Sequence, residues 1–251
     1  MRCSVVIPVH NEGAGLESLL TQFVEGLPPP IAPLVTEILV VENGSTDITW
    51  HAALTLQHRF PGLVRALSIP CGSYGEAIKH GIVQSRGTHV SILECDLLDA
   101  GFLAESIRLF HAEEAEFVVA SKRHRLSIDH RPFRRRFMTA GFNMLLRALV
   151  KHPGTDTHGL KSIEIQLAQR LCDLAMTTDE VFQTEIVLLA WRLGCRVVEV
   201  PIKIDEVRTT PVAILRRVPK VIPILWQLRQ SLARFPSGQG QDSTQQQVRG
   251  P

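Results

Sequence analysis

Short, almost uninterrupted apolar runs recur along the first half of the chain, and between them apolar residues return every three or four positions. Ser4 to Val9, Glu37 to Val41, Val64 to Ile69, Val90 to Asp96 and Glu116 to Ala120 have the length and branched-residue content of buried strands. Glu12 to Glu25, with Leu16, Leu19, Leu20 and Phe23 on one face, has the period of a helix, as do Ile48 to Phe60, the stretch from the Gly72–Gly75 turn to Ser85, and Phe102 to Ala112. The run Pro28-Pro29-Pro30 ends the first helix. Strands that are apolar on both faces and alternate with helices predict an α/β fold, a mostly parallel sheet sandwiched by helices.

The second half is less regular. A bunch of arginines (Arg131, Arg134, Arg135 and Arg136) precedes a predicted helix over Phe137 to Leu149, and Thr155 to Lys161 reads as a polar loop. Phe182 to Leu193 has the pattern of a strongly amphipathic helix stopped by Gly194, and Arg196 to Ile204 that of a strand. The predicted organisation is one domain over 1–210, a basic amphipathic helical segment over 211–235, and a Gly-, Gln- and Ser-rich disordered tail over 236–251. There is no internal repeat.

Composition narrows the function classes. A net charge of +2 predicts no nucleic-acid partner, and 45% hydrophobic residues support a sizeable core. The five cysteines are odd in number, scattered and free of any C-x-x-C pair, which points to reduced thiols and a cytoplasmic setting. No signal peptide and no apolar run of membrane-spanning length is expected. No G-x-G-x-x-G follows the first strand, which argues against a dinucleotide-dependent oxidoreductase.

Candidate chemistry gathers at the carboxyl ends of the predicted strands, where such sheets bind ligands. Pro8-Val9-His10-Asn11-Glu12, Glu42-Asn43-Gly44-Ser45 and Glu94-Cys95-Asp96 should share one crevice there. Along an extended chain residues i and i+2 lie on one side, so Glu94 and Asp96 can point at one ion. Hard oxygen ligands suit Mg²⁺ or Mn²⁺. An isolated E-x-D also occurs as two solvated residues where a strand meets a loop. Glu42 and Asn43 can equally serve a turn with Gly44, and Gly72 and Gly75 a tight turn.

These stretches, in this order, carry a resemblance. Ser4 to Glu12 resembles the opening strand of family 2 glycosyltransferases with a GT-A fold, a Rossmann-like architecture. Val40 to Asp47 resembles their second motif, and Glu94-Cys95-Asp96 lies where their metal-binding D-x-D does. More specifically the chain is similar to the dolichyl-phosphate mannosyltransferase and polyprenyl-phosphate glycosyltransferase branch, through Gly72 to Ala77, Ser121-Lys122-Arg123, Asp156 to Lys161, Phe182 to Glu185 and Gly194 to Ile202. It departs from that branch at Glu42-Asn43, where paired Asp is usual, at Glu94, at Leu98 with Asp99 beside it, and at His158, Leu160 and Lys161.

The resemblance implies an inverting transfer of a hexose from a UDP- or GDP-linked sugar. Pro8, His10, Glu12, Glu42, Asn43, Gly75, Glu94, Cys95 and Asp96 would contact the donor, with Mg²⁺ or Mn²⁺ held by Glu94 and Asp96 against the diphosphate. A lipid-phosphate acceptor, itself an anion, would need cations, for which Arg123, Arg131, Arg134 and Arg208 are candidates with His158, Lys161 and Glu185 on the acceptor side. A hydroxyl acceptor would instead need a base, for which Asp156 is the candidate. A nucleotidyltransferase-like or non-catalytic nucleotide-sugar binding protein is the alternative class. The basic apolar pattern of 211–235, with Arg216, Arg217, Lys220, Arg229 and Arg234 among Leu225, Trp226 and Leu228, suits either peripheral contact with an anionic membrane or packing on the domain or on a second subunit of a homodimer.

Overall fold

The computed structural model describes residues 1–70, 72–122, 124–129, 154, 156–157, 159–179, 181–204 and 226–235. Nine strands run in chain order as β1 (Cys3–Val9), β2 (Val35–Asn43), β3 (Val64–Ile69), β4 (His89–Ile92), β5 (Phe117–Ser121), β6 (Ile128–Asp129), β7 (Lys161–Glu164), β8 (Val197–Pro201) and β9 (Lys203–Ile204) among the described residues. The helices are α1 (Leu16–Glu25), α2 (Thr49–Arg59), α3 (Tyr74–Gln84), α4 (Ala100–His111), α5 (Ile165–Leu174), α6 (Phe182–Arg192) and α7 (226–233).

Seven of the strands form one sheet in the order β3-β2-β1-β4-β7-β5-β8, and β6 pairs with β9 apart from it. All neighbours in the large sheet are parallel except β7, which runs antiparallel to both β4 and β5. Polar-loop expectations for Lys161 therefore require correction, since Lys161 opens a strand. Its pattern, Lys-Ser-Ile-Glu running straight into a helix, is too short to stand out by period alone.

Alternation along β1 sorts the core into two layers. Val5, Ile7 and Val9 face α1, α2 and α4, where Leu16, Leu20, Ala53, Leu56 and Phe102 pack. Val6 faces the other layer, with Ile78 and Ile82 of α3, Leu171 of α5 and Phe182 and Ile186 of α6. Gly81 permits that approach, because a Cβ there would lie 2.4 Å from a Val6 methyl. Pro8 is tolerated in a central strand for a local reason. Val6 turns its carbonyl to the β4 side and accepts from Leu93 at 3.0 Å, so Pro8 also faces that side, where β4 has already ended and no ladder donor is missed.

Two further expectations are adjusted. Helix α1 starts at Leu16 rather than Glu12, because residues 10–15 form a loop tied to the loop after β2. Helix α6 is not amphipathic in the fold: each residue from Phe182 to Ala190 is buried, with the sheet, α5 and residues 226–235 around it. Of the two alternatives for the basic apolar pattern, packing on the domain holds for Leu228, which is buried with Leu232 in the second core layer, while Trp226 is 62% exposed. The predicted helix over 137–149, residues 211–225 and the tail over 236–251 lie outside the described residues. No helix among the described residues is long and apolar enough to cross a membrane.

Candidate active site at the carboxyl ends of the strands

In the sheet order, β2 and β3 lie on one side of β1 and β4 on the other. The carboxyl ends of β1 and β4 therefore flank a switch point, where an open α/β sheet leaves a crevice. The loop after β1 and the loop after β2 are bonded into one wall of it. His10 Nδ1 donates to the Asn43 carbonyl at 3.0 Å, and the Asn11 amide meets His10 Nε2 at 3.1 Å. Since that amide nitrogen can only donate, Nε2 accepts and the proton sits on Nδ1. Asn11 takes a left-handed backbone, φ 54°, which Asn tolerates, and its Oδ1 accepts from Thr46 N at 2.9 Å. Glu12 N donates to Thr49 Oγ1 and Gly13 N to Asp47 Oδ2, at 2.8 and 3.1 Å.

Glu42 and Asn43, at the end of β2, are 5% and 3% exposed. Burial pushes the Glu42 carboxyl up, but bonds from Ser45 N, Ser68 Oγ and Ser45's side chain hold it below the usual range. In this structure the Glu42 carboxylate shapes the turn at Gly44, φ 72°, by binding Ser45 N and Ser68 Oγ.

The acidic pair departs from the strand expectation. Strand β4 ends at Ile92, and Glu94-Cys95-Asp96-Leu97 is a reverse turn closed by Leu97 N donating to the Glu94 carbonyl at 2.9 Å. Both carboxylates therefore hang from one turn, rather than from alternate positions of an extended chain. Asp96 is exposed and Glu94 half-buried, while the Cys95 thiol is buried in the first core layer. Asp99 is occupied as the cap of α4, its Oδ1 accepting from Phe102 N at 2.9 Å. Among the described residues no three His, Cys, Asp or Glu side chains gather as a metal centre. Two hard carboxylates still fit Mg²⁺ or Mn²⁺, since such ions keep several waters and take further oxygens from a substrate phosphate.

Below this turn lies a buried cation. Lys161 pairs with Ile92 of β4 and Val119 of β5, both in the α3/α6 layer, and its side chain is 0% exposed. Its ammonium donates to the Gly159 carbonyl at 2.8 Å and to Gln183 Oε1. Burial pushes Lys161 down to about 7, against the carboxylates of Glu94 and Asp156, which favour the charged form. Asp156 is itself buried, and its Oδ2 accepts from Lys122 N at 3.2 Å.

Gly75 opens α3 for a steric reason. A Cβ there would lie 2.4 Å from the Thr178 carbonyl oxygen, and the neighbouring Glu76 N donates to that oxygen at 3.0 Å. The first turn of α3 is thus covered by the chain at Thr178. Glu185 is fully buried and accepts from Met176 N, Thr177 N and Thr177 Oγ1 at 2.9, 2.8 and 2.6 Å, and from Ser231 Oγ. Tyr74, Gln183 and Thr184 lie in stretches that carry the family resemblance but have no role assigned from the sequence, and Ser231 lies in none. For Gln183 and Thr184 the signal, polar residues inside an apolar helix pattern, becomes meaningful only once α6 is known to be buried from Phe182 to Ala190.

Arg123, Arg131, Arg134, His158 and Arg208 lie outside the described residues. The four cysteines described (Cys3, Cys95, Cys172 and Cys195) are free thiols, and burial pushes Cys3 up to about 11 and Cys172 to about 12.

Residues 4–177 match the sequence model of glycosyl transferase family 2. A dolichyl-phosphate beta-glucosyltransferase of Trichomonas vaginalis is 25% identical over 240 residues, covering 88% of this chain and 71% of that protein. A glycosyltransferase of Haloferax volcanii is 24% identical over 231 residues, covering 90% of this chain but only 37% of its own length. Among solved structures, glucosyl-3-phosphoglycerate synthase of Mycobacterium tuberculosis, in complex with Mn²⁺, UDP and glucosyl-3-phosphoglycerate, has a TM-score of 0.69 at 21% identity, covering 91% of this chain and 80% of that one. At that identity the likeness speaks to the fold, and it agrees with the predicted GT-A architecture.

Proposed function

The chain belongs to glycosyl transferase family 2, and from that premise we propose that it moves a hexose from a UDP- or GDP-linked sugar to a polyprenyl phosphate, inverting the anomeric carbon. One observation carries the reading: two carboxylates on the turn after β4, above a buried lysine, at the switch point of the sheet. Glu94 and Asp96 would hold Mg²⁺ or Mn²⁺, which when bound neutralises charge building on the departing diphosphate. The Mn²⁺ and UDP in the mycobacterial synthase support that pairing of metal and donor. The wall made by Pro8, His10, Glu12, Glu42 and Asn43 would hold the nucleoside, its loops already fixed by the Asn11, Asp47 and Thr49 bonds.

An acceptor that is already a phosphate anion needs no general base. That suits Asp156, whose carboxylate is buried and bonded to Lys122 N, a poor position from which to take a proton from an incoming hydroxyl. The relatives named for dolichyl phosphate favour the same acceptor class. Arg123, Arg131, Arg134, Arg208 and His158 are the proposed acceptor cations. Peripheral attachment to the cytoplasmic face of a membrane, or pairing of two subunits, would use the basic residues of the segment 211–235. Co-sedimentation with anionic vesicles and sizing of the full-length chain, wild type and with Arg216, Arg217 and Lys220 changed to Gln, decide between these, since Leu228 and Leu232 belong to the core and the segment is not removed.

Calorimetry with UDP- and GDP-sugars, with and without Mn²⁺, on the wild type and Asp96→Asn is the direct test. Metal-dependent binding lost in the variant, followed by transfer to a polyprenyl phosphate, is the expected result. Transfer to phosphoglycerate alone would replace the acceptor, and binding without any transfer would leave a nucleotide-sugar binding protein.

A further inference from the structure

The first turn of α6 carries three consecutive polar residues, Gln183, Thr184 and Glu185, that are 3%, 0% and 0% exposed. Each is bonded to a different part of the molecule. Glu185 receives four bonds, from Met176 N, Thr177 N, Thr177 Oγ1 and Ser231 Oγ. A carboxylate offers about four lone-pair sites, so its capacity is filled. Ser231 sits on α7, one turn before Arg234 and between Leu228 and Leu232, which anchor that helix in the second core layer. Thr177 leads into Thr178, whose carbonyl accepts from Glu76 N at 3.0 Å and from Ser73 Oγ, and presses on Gly75. Tyr74, in the same turn of α3, bonds through its hydroxyl to Gln183 Nε2, and Gln183 Oε1 accepts from Lys161. The bonds close a ring that leaves α6 at Glu185, crosses to α3, and returns to α6 at Gln183, with Lys161 below the acidic turn attached to it.

We propose that Glu185 is a positioning residue that ties the seating of α7 to the crevice: the first turn of α3 and the Lys161 ammonium keep their places only while Ser231 is docked on Glu185. The physical reason is that buried polar groups tolerate no vacancy. Withdrawing the Ser231 hydroxyl leaves a buried carboxylate short of one donor, and its three remaining bonds all come from Met176 and Thr177, so any re-aiming of the carboxylate moves that stretch. Thr178 cannot shift without opening the Glu76 bond or colliding with the α3 backbone at Gly75. The proposal rests on the reading of the crevice as a donor site only for its effect on binding; the structural coupling stands apart from it.

Amide hydrogen exchange in the full-length chain tests it at single residues. In Ser231→Ala the amides of Met176, Thr177 and Glu76 should exchange about tenfold faster, while that of Leu93, bonded to Val6 in the sheet, stays as in the wild type. UDP- or GDP-sugar affinity should weaken several-fold in the same variant. Tyr74→Phe cuts the ring from the other side, and should quicken the Glu76 amide without touching α7. A Glu76 amide that stays protected in Ser231→Ala while Met176 and Thr177 open overturns the coupling, as does a Glu76 amide that moves only together with Leu93. Should Ser231→Ala fail to fold, Ser231→Cys, which nearly keeps the volume and weakens the donor, takes its place, and a Glu76 amide that stays protected there while Met176 and Thr177 open overturns the coupling equally. Absence of any nucleotide-sugar binding by the wild type refutes the donor reading, and the exchange pattern still decides the coupling.

Discussion

The Lys161 ammonium donates to the Gln183 amide oxygen inside the protein, where Lys161 is wholly buried and Gln183 nearly so. This neutral partner does little to offset the loss of water around a cation, which is why burial outweighs the pull of Glu94 and Asp156 and Lys161 titrates near 7.

That position sets a pH dependence. An unfolded lysine titrates at about 10.4, so between about 7 and that value the unfolded chain binds more protons than the folded one. Stability should therefore rise with pH across this window, by on the order of 2 to 4 kcal/mol for this group. Lys161→Met should flatten the rise, measured as urea unfolding free energies at pH 6.5 and 9.5 in both proteins. An unchanged slope in the variant would place the titration elsewhere.

Glu42 gives the opposite sign. Its carboxyl is held below the usual range by Ser45 and Ser68 despite burial, so it stabilises above the ordinary glutamate value, and that contribution is lost as pH falls through the lower, folded value. Glu42→Gln should cost about 1 to 3 kcal/mol near neutrality and lose part of the acid sensitivity. Chemical denaturation at pH 7 and pH 3.5 reads both effects, and a variant as stable as the wild type at pH 7 would refute the turn-holding role.

Removing either carboxylate of the acidic turn should weaken transfer far more than folding. For Asp96→Asn and Glu94→Gln we expect a loss of about a hundredfold or more in transfer rate and a melting temperature within about 2 °C of wild type, since neither is buried in the core. Chelation of divalent cations should mimic the substitutions in the wild type. Undiminished transfer in Asp96→Asn would remove the carboxylate pair from the chemistry.

Gly75→Ala isolates a steric effect. The new methyl would press on the Thr178 carbonyl oxygen at 2.4 Å, and because that oxygen belongs to the backbone, relief requires the 176–179 chain to move. A destabilisation of about 1 to 3 kcal/mol is expected, read as a lower melting temperature, together with faster exchange of the Glu76 amide.

Much of the layout was legible because its signals are local. Val5, Ile7 and Val40 lie in runs too apolar for a one-sided strand, and the acidic and polar residues that end those runs announce the crevice edge. Strand β7 was not legible: Lys161 to Glu164 is brief and leads straight into α5, and nothing within it says that it enters the sheet between β4 and β5 in the opposite direction. The same holds for Glu94 and Asp96, whose i, i+2 spacing fits a strand and a reverse turn equally well; the choice fell to where the sheet ends, at Ile92.

By itself, then, the chain's order of residues determined the alternation of strands and helices, the two-sided burial of the sheet and the gathering of polar residues at its carboxyl edge. All of these follow from periodicity and turn chemistry within a few neighbouring positions. Tertiary structure alone decided that Lys161 is an interior cation, that Gly75 is shaped by Thr178, and that Glu185 joins Ser231 to Thr177. Those roles depend on groups separated by tens of residues in the chain, and only packing determines which buried polar groups must satisfy one another.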